Sequence, residues 1–111
     1  IRALTFTGST AVGRRIAGIA AERLLKVSLE LGGKNATLIF ADSDWRTQLD
    51  TLLRSAFQNS GQICLCGSRI LIERSIYAEV REALVAGAQA LHVGHPLEDG
   101  VRIGPLASQA Q

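Results

Sequence analysis

Short β-prone runs alternate along this chain with stretches whose apolar residues recur at helical spacing. That alternation constrains the fold more than any other feature. Leu4 to Thr7 is β-prone and ends at Gly8-Ser9-Thr10, after which Val12, Ile16, Ile19 and Ala20 fall on one helical face. Ser9 or Thr10 suits the cap of that helix. Lys26 to Leu31 predicts a second strand, broken by Gly32-Gly33, and Ala36 to Phe40 a third. From Trp45 to about Asn59, the set Leu49, Leu52, Leu53, Ala56 and Phe57 follows the i, i+3, i+4, i+7, i+8 template of a helix that faces a core. The stretch "NSGQICLCGS" is too rich in small and turn-forming residues to continue it. Arg69 to Glu73 then predicts a strand, and Ser75 suits the cap of a third helix running to about Ala90, with Val80, Leu84, Ala88 and Leu91 inward. The remainder holds both prolines and reads as irregular. Strands separated by helices define an α/β fold class.

The chain has 111 residues, 47% of them hydrophobic, which matches one ordinary globular domain. A net charge of +2, with acids and bases interspersed and no basic spot denser than Arg14-Arg15, argues against a nucleic-acid partner. No apolar stretch approaches the roughly 20 residues that span a bilayer, so no membrane partner is expected. The chain opens on Ile1 in what reads as a strand already in progress and stops without a closing element, so it is expected to be a piece of something longer. Cys64 and Cys66 lie too close for an easy disulfide and lack the further partners of a zinc site, which fits a reducing, cytoplasmic compartment.

Two residues invite a chemical reading. Cys64 sits on a Gly- and Ser-flanked loop, where exposed backbone amides can stabilise a thiolate and bind an oxyanion. The alternative is a small buried hydrophobe, which is also the reading for Cys66. Glu30 has Val27, Leu29 and Leu31 around it, and a carboxylate in an apolar setting gains the proton affinity of a general base. Its alternative is a strand-end acid that pairs with Lys34 or reaches solvent. The Gly8-Ser9-Thr10 turn offers backbone N–H groups to a phosphate at a helix start, although "GSTAVG" is not a full dinucleotide fingerprint. His92 and His95, three apart in a loop, read as surface or structural residues, and no metal is expected.

"FTGSTAVG" (Phe6 to Gly13), "LELGGKN" (Leu29 to Asn35), "FQNSGQICLCGSR" (Phe57 to Arg69) and "IGPL" (Ile103 to Leu106) stand in the order and at the separations of the motifs of the NAD(P)-dependent aldehyde dehydrogenase superfamily. The chain resembles that family nearly end to end. "CLCGSR" is most similar to the branch that oxidises muconate-type semialdehydes, and His95-Pro96 stands where the family often has Asn before proline.

The resemblance implies a segment that bridges a Rossmann-like cofactor domain, ending over residues 1–32, and a catalytic α/β domain, starting over 33–111. It implies that Cys64 attacks the aldehyde carbon to give a thiohemiacetal and then a thioester, and that Glu30 activates the water that hydrolyses it. It implies that Gly8, Ser9, Leu31 and Gly32 meet an NAD or NADP cofactor, and that the parent enzyme is a homodimer or homotetramer acting on an aldehyde. The second oxyanion donor and the ribose-binding residues of the family fall outside these residues. Two alternatives are a CoA-acylating relative and a non-catalytic module of the same fold; retention of both Glu30 and Cys64 disfavours the module, and retention of Glu30 disfavours CoA as acceptor.

Overall fold

The computed structural model describes residues 1–111, which form two compact units, Ile1–Gly33 and Lys34–Gln111. In the first, strand β1 (Ala3–Gly8) pairs in parallel with β2 (Lys26–Leu31) from Ala3↔Lys26 to Gly8↔Leu31, and helix α1 (Thr10–Glu22) is the crossover that a parallel pair requires. Side chains alternate along each strand, so Leu4, Phe6, Leu29 and Leu31 share one half-buried face, while Thr5, Thr7, Ser28 and Glu30 share the other, exposed one.

Helix α1 covers the apolar face, but not with all the residues that hydrophobic spacing selects. Gly13, Ile16, Ala17 and Ala20 are turned inward, and Val12 and Ile19 are 46% and 44% exposed. The reason is Gly13: a Cβ there would stand 2.7 Å from Leu31 Cδ2, so the absence of a side chain is what brings the helix down onto β2. Spacing counts apolar bulk and overlooks small residues that permit close approach. The helix begins as expected, with Ser9 Oγ accepting from the Val12 N–H at 3.4 Å. It ends in a Schellman motif, Leu25 N–H to Ala20 O and Leu24 N–H to Ala21 O, with Leu24 in the left-handed region at φ 52° where glycine is usual.

In the second unit, β3 (Ala36–Ile39) and β4 (Arg69–Ile72) pair in parallel from Ala36↔Arg69 to Ile39↔Ile72, with α2 (Leu49–Phe57) in the crossover and α3 (Tyr77–Gln89) following β4. Ile39, Trp45 and Val80 are the buried centre, packed by Leu52, Ile70, Ile72, Ile76, Ala83 and Leu84. Both helix starts lie later than the sequence suggests. Trp45 to Gln48 form turns rather than helix, tied by Gln48 N–H to Trp45 O and Thr47 Oγ1 to Asp44 O, which lets the Trp45 indole fold into the core ahead of α2. Ser75 does not cap α3. It lies in a 3-10 turn, Arg74–Ile76, one residue ahead of the Ile76 cap position, and its hydroxyl donates to the Glu73 carboxylate, Oε1, at 2.7 Å, a charge-assisted bond that holds the side chain toward Glu73. The last twenty residues are turns, with one parallel bridge between Val93 and Ile103.

Val80 is fully buried, so Val80→Ala should lower the unfolding free energy by about 1.5–3 kcal/mol in urea titrations. The exposed Arg46–Glu79 ion pair should contribute under about 1 kcal/mol on Glu79→Ala.

A pH dependence follows from Glu73. The Ser75 hydroxyl and then the Ala41 N–H donate to its carboxylate and hold its pKa below the ordinary 4.5. Because the folded value is the lower one, the stabilisation is complete above the unfolded value and lost as pH falls through the folded value. The stability difference between wild type and Glu73→Gln should therefore stay constant above about pH 5.5 and shrink on acidification below about pH 4.5, as read by urea unfolding at several pH values.

Candidate active site

The carboxyl end of the β1–β2 pair collects the four residues expected to meet a cofactor. Gly8 and Leu31 are register partners at the last rung, Ser9 caps α1 directly after Gly8, and Gly32 follows Leu31. Open α/β sheets bind ligands at this edge. The Thr10 and Ala11 N–H groups at the start of α1 donate to nothing in the chain, and no acid stands in the first helical turn. Free amides at a positive helix end suit a pyrophosphate anion.

Each of the four contributes differently. A Cβ on Gly8 would meet the Phe6 ring at 2.6 Å, so this glycine first makes room for Phe6. The Leu31 side chain lies against Gly13, which leaves its backbone as the group presented at the strand end. Nothing stands within 4 Å of a Cβ built on Gly32, and that backbone is open to approach.

Glu30 departs from the expected apolar setting. Its sequence neighbours Leu29 and Leu31 point to the α1 side, whereas Glu30 points to the opposite face beside Thr7 and is exposed. Strand alternation converts adjacency in sequence into opposition in space.

In the second unit, α2 ends at Phe57, and Asn59, Ser60 and Gly61 follow in the left-handed region at φ 50°, 57° and 73°. Asparagine tolerates that conformation, but for Ser60 it costs about 1 kcal/mol or more, and such strain persists only where neighbours impose it. Here the Ser60 hydroxyl donates to Gly104 O at 2.8 Å, and the Gln62 side-chain oxygen accepts from the Ala107 N–H at 2.8 Å. The "IGPL" stretch is thereby tied to the cysteine loop.

The loop next forms a turn from Ile63 to Cys66, closed by Cys66 N–H to Ile63 O at 3.0 Å. Cys64 is exposed on this turn, and Cys66 is 4% exposed with its thiol toward Gln58 O. The N–H groups of Cys64 and Leu65 donate to nothing in the chain. Gly67 then passes between β3 and α2, its N–H bonded to Ser55 O at 3.0 Å. From the far side, Asn35 Nδ2 donates to Cys64 O at 2.5 Å and to Cys66 O at 3.4 Å.

Asn35, Ser60 and Gln62 hold the loop, and reading the sequence assigned none of them a role. Their signal was their place inside "LELGGKN" and "FQNSGQICLCGSR". His92 and His95 are exposed, His95 Nδ1 accepting from the Leu97 N–H, and no group of three His, Cys, Asp or Glu side chains gathers as a metal would need.

Two parallel strand pairs, each crossed by a helix, with a glycine-led helix start in one unit and an exposed thiol among free amides in the other, define the class of protein. The model of the aldehyde dehydrogenase family matches residues 1–111, and the chain belongs to that family. It is 47% identical over 108 residues to 2-aminomuconic 6-semialdehyde dehydrogenase of a Pseudomonas species, covering 97% of this chain and 22% of that protein. It is 39% identical over 109 residues to the NADP(+) succinate-semialdehyde dehydrogenase of Escherichia coli, covering 98% and 23%. Among solved structures, an NAD-dependent aldehyde dehydrogenase from Sinorhizobium meliloti superposes with a TM-score of 0.92 at 35% identity, covering 99% of this chain and 22% of that one. Betaine aldehyde dehydrogenase from Staphylococcus aureus in complex with NAD+ superposes at 0.91 with 33% identity, over the same shares. The chain thus spans less than a quarter of the length of these relatives. No helix is long and apolar enough to cross a membrane.

A Cβ on Gly67 would stand 2.3 Å from Thr37 Oγ1 and 3.0 Å from Ser55 Oγ. Gly67→Ala should cost about 1–3 kcal/mol in urea unfolding. Thr37→Ala should recover part of that loss in the double variant, because removing Oγ1 removes the closest clash.

Proposed function

We propose that this chain is part of an NAD(P)-dependent aldehyde dehydrogenase that oxidises an aldehyde, of the semialdehyde class, to a carboxylic acid, with Cys64 as nucleophile and Glu30 as general base. One observation carries the assignment of the nucleophile: of the two thiols, Cys64 alone is exposed, on a turn whose free N–H groups face no partner. Family membership along the whole chain and the dehydrogenase names of its relatives support the reaction class. The semialdehyde class rests on the relatives whose names specify such substrates. Both NADP(+) and NAD+ stand among the names of relatives and structural neighbours, so NAD or NADP is the cofactor of the proposal.

Residues 1–32 are read as the end of the cofactor-binding domain and 33–111 as the start of the catalytic domain. Gly8, the Ser9 turn and the free amides of α1 would hold the pyrophosphate, with the Leu31-Gly32 backbone toward the nicotinamide. When bound, the nicotinamide supplies the hydride acceptor. The Cys64 thiolate adds to the aldehyde carbon, and the turn N–H groups stabilise the oxyanion that develops on the aldehyde oxygen. Loss of hydride from that carbon leaves a thioester on Cys64. Glu30 takes a proton from water, whose oxygen adds to the thioester carbon and releases the acid and the thiolate. Glu30, exposed on the Thr7 face of β2, is accessible to that water. The reading extends to a cytoplasmic enzyme assembled as a homodimer or homotetramer.

The test is reduced-cofactor formation by the full-length enzyme with a panel of semialdehydes and other aldehydes, with and without CoA. Cys64→Ala should reduce turnover below about a thousandth of wild type, and Glu30→Gln should leave at most a single burst of reduced cofactor. Absence of turnover by wild type with every aldehyde, or full activity of Cys64→Ala, would overturn the proposal. A strict requirement for CoA would replace water by CoA as the acceptor.

A further inference from the structure

We propose that Asn35 is a positioning residue for Cys64: its carboxamide fixes the peptide plane that follows the nucleophile and so sets the direction of the thiol. The inference rests on the reading of Cys64 as nucleophile.

Three observations carry it. First, Asn35 Nδ2 is the sole partner of the Cys64 carbonyl, whereas the Cys66 carbonyl also receives the Ser68 N–H at 2.9 Å and the Ser68 hydroxyl at 3.3 Å. Loss of Asn35 would leave Cys66 O bonded and Cys64 O unheld. Second, the orientation of the carboxamide is dictated by chemistry: both groups it faces are carbonyl oxygens, so only its NH2 end can point there. Third, the Asn35 backbone is itself anchored. Arg69 N–H donates to Asn35 O at 3.1 Å, Arg69 Nη1 donates to the neighbouring Lys34 O at 3.1 Å, and the β3–β4 ladder starts one residue later at Ala36↔Arg69.

A planar trans peptide carries its C=O and N–H in opposite directions. With Cys64 O drawn toward Asn35, the Leu65 N–H must point away from it. The preceding plane is held in the same way: Ile63 O accepts from the Cys66 N–H inside the turn, so the Cys64 N–H points out of the turn. Both planes that flank the Cys64 Cα are therefore fixed, and with them the Cα–Cβ bond that carries the sulfur. Only one of the two is held by a side chain, and that side chain is Asn35.

The experiment uses the full-length enzyme and compares wild type, Cys64→Ala, Asn35→Asp and Asn35→Ser. Asp keeps the volume and replaces the donor by an oxygen that faces two carbonyls; Ser shortens the side chain beyond reach of Cys64 O while leaving the strand start in place, and serves if the Asp variant does not accumulate folded. Measured are kcat and KM for cofactor and aldehyde, and the rate of iodoacetamide alkylation of Cys64 per folded molecule. A displacement of about 1 Å at a reacting group costs up to about a hundredfold. The expected result is a kcat lowered about tenfold or more, a slowed or altered Cys64 alkylation, and a KM for cofactor within about twofold of wild type. A kcat within about threefold of wild type in the folded variants, beside an inactive Cys64→Ala, would overturn the role of Asn35 and leave the reading of Cys64 intact. A proportional loss of kcat and cofactor affinity with lowered thermal stability would also overturn it, since general loosening then suffices. Full activity of Cys64→Ala would overturn both.

Discussion

The parallel pairing of β3 with β4 is the constraint on which the cysteine site depends. Ala36 stands beside Arg69, so the residues just before each strand are forced together: Asn35 on one side, and the end of the cysteine loop on the other. Parallel strands enter a pair from the same end, and their leading segments therefore meet whatever the length of chain between them. Here Asn35 and Cys64 lie 29 positions apart in the sequence, and the ladder closes that distance to a hydrogen bond. The core centred on Ile39, Trp45 and Val80 holds the ladder in place. Stability of the core and placement of the thiol are in this sense one problem.

The same topology works at the opposite end of the strands in the first unit. There the carboxyl termini of β1 and β2 meet, and the start of α1 arrives beside them because a short turn must lift the chain off the sheet after Gly8. The two units present different chemistry from one supersecondary motif. In the first, free amides at a helix start face outward; in the second, an exposed thiol is displayed on the loop that precedes a strand. Gly13 and Gly67 have equivalent tasks, since each lets backbone pass where a methyl group would collide with a neighbour.

Strain is concentrated where the chain must turn from α2 toward the cysteine. Two consecutive non-glycine residues in the left-handed region do not persist by local preference, and the ties from Ser60 and Gln62 to the segment around Gly104 and Ala107 oppose their relaxation. The last stretch of the chain, irregular and poor in core contacts of its own, thus belongs to the architecture of the cysteine loop. The two thiols, one residue apart, are assigned opposite tasks by this loop: Cys66 fills space beneath it and Cys64 crowns it.

The sequence by itself determined the order of strands and helices, the α/β class and the resemblance that family membership later bore out, because periodicity and short motifs are local properties. It also indicated the Ser9 cap. It misjudged what depends on a third dimension. Glu30 looked embedded in apolar residues because its neighbours in sequence are leucines, yet a strand sends neighbours to opposite faces. Val12 and Ile19 looked inward because they are large and apolar, while the small Gly13 decided which side of α1 could reach β2. The helix around Trp45 began late because an indole at the core outweighs one more helical turn. Only tertiary structure decided that Asn35 reaches Cys64 and that "IGPL" braces the same loop, since these contacts join residues far apart in the chain and no local pattern records which distant partner a carboxamide or a hydroxyl will find.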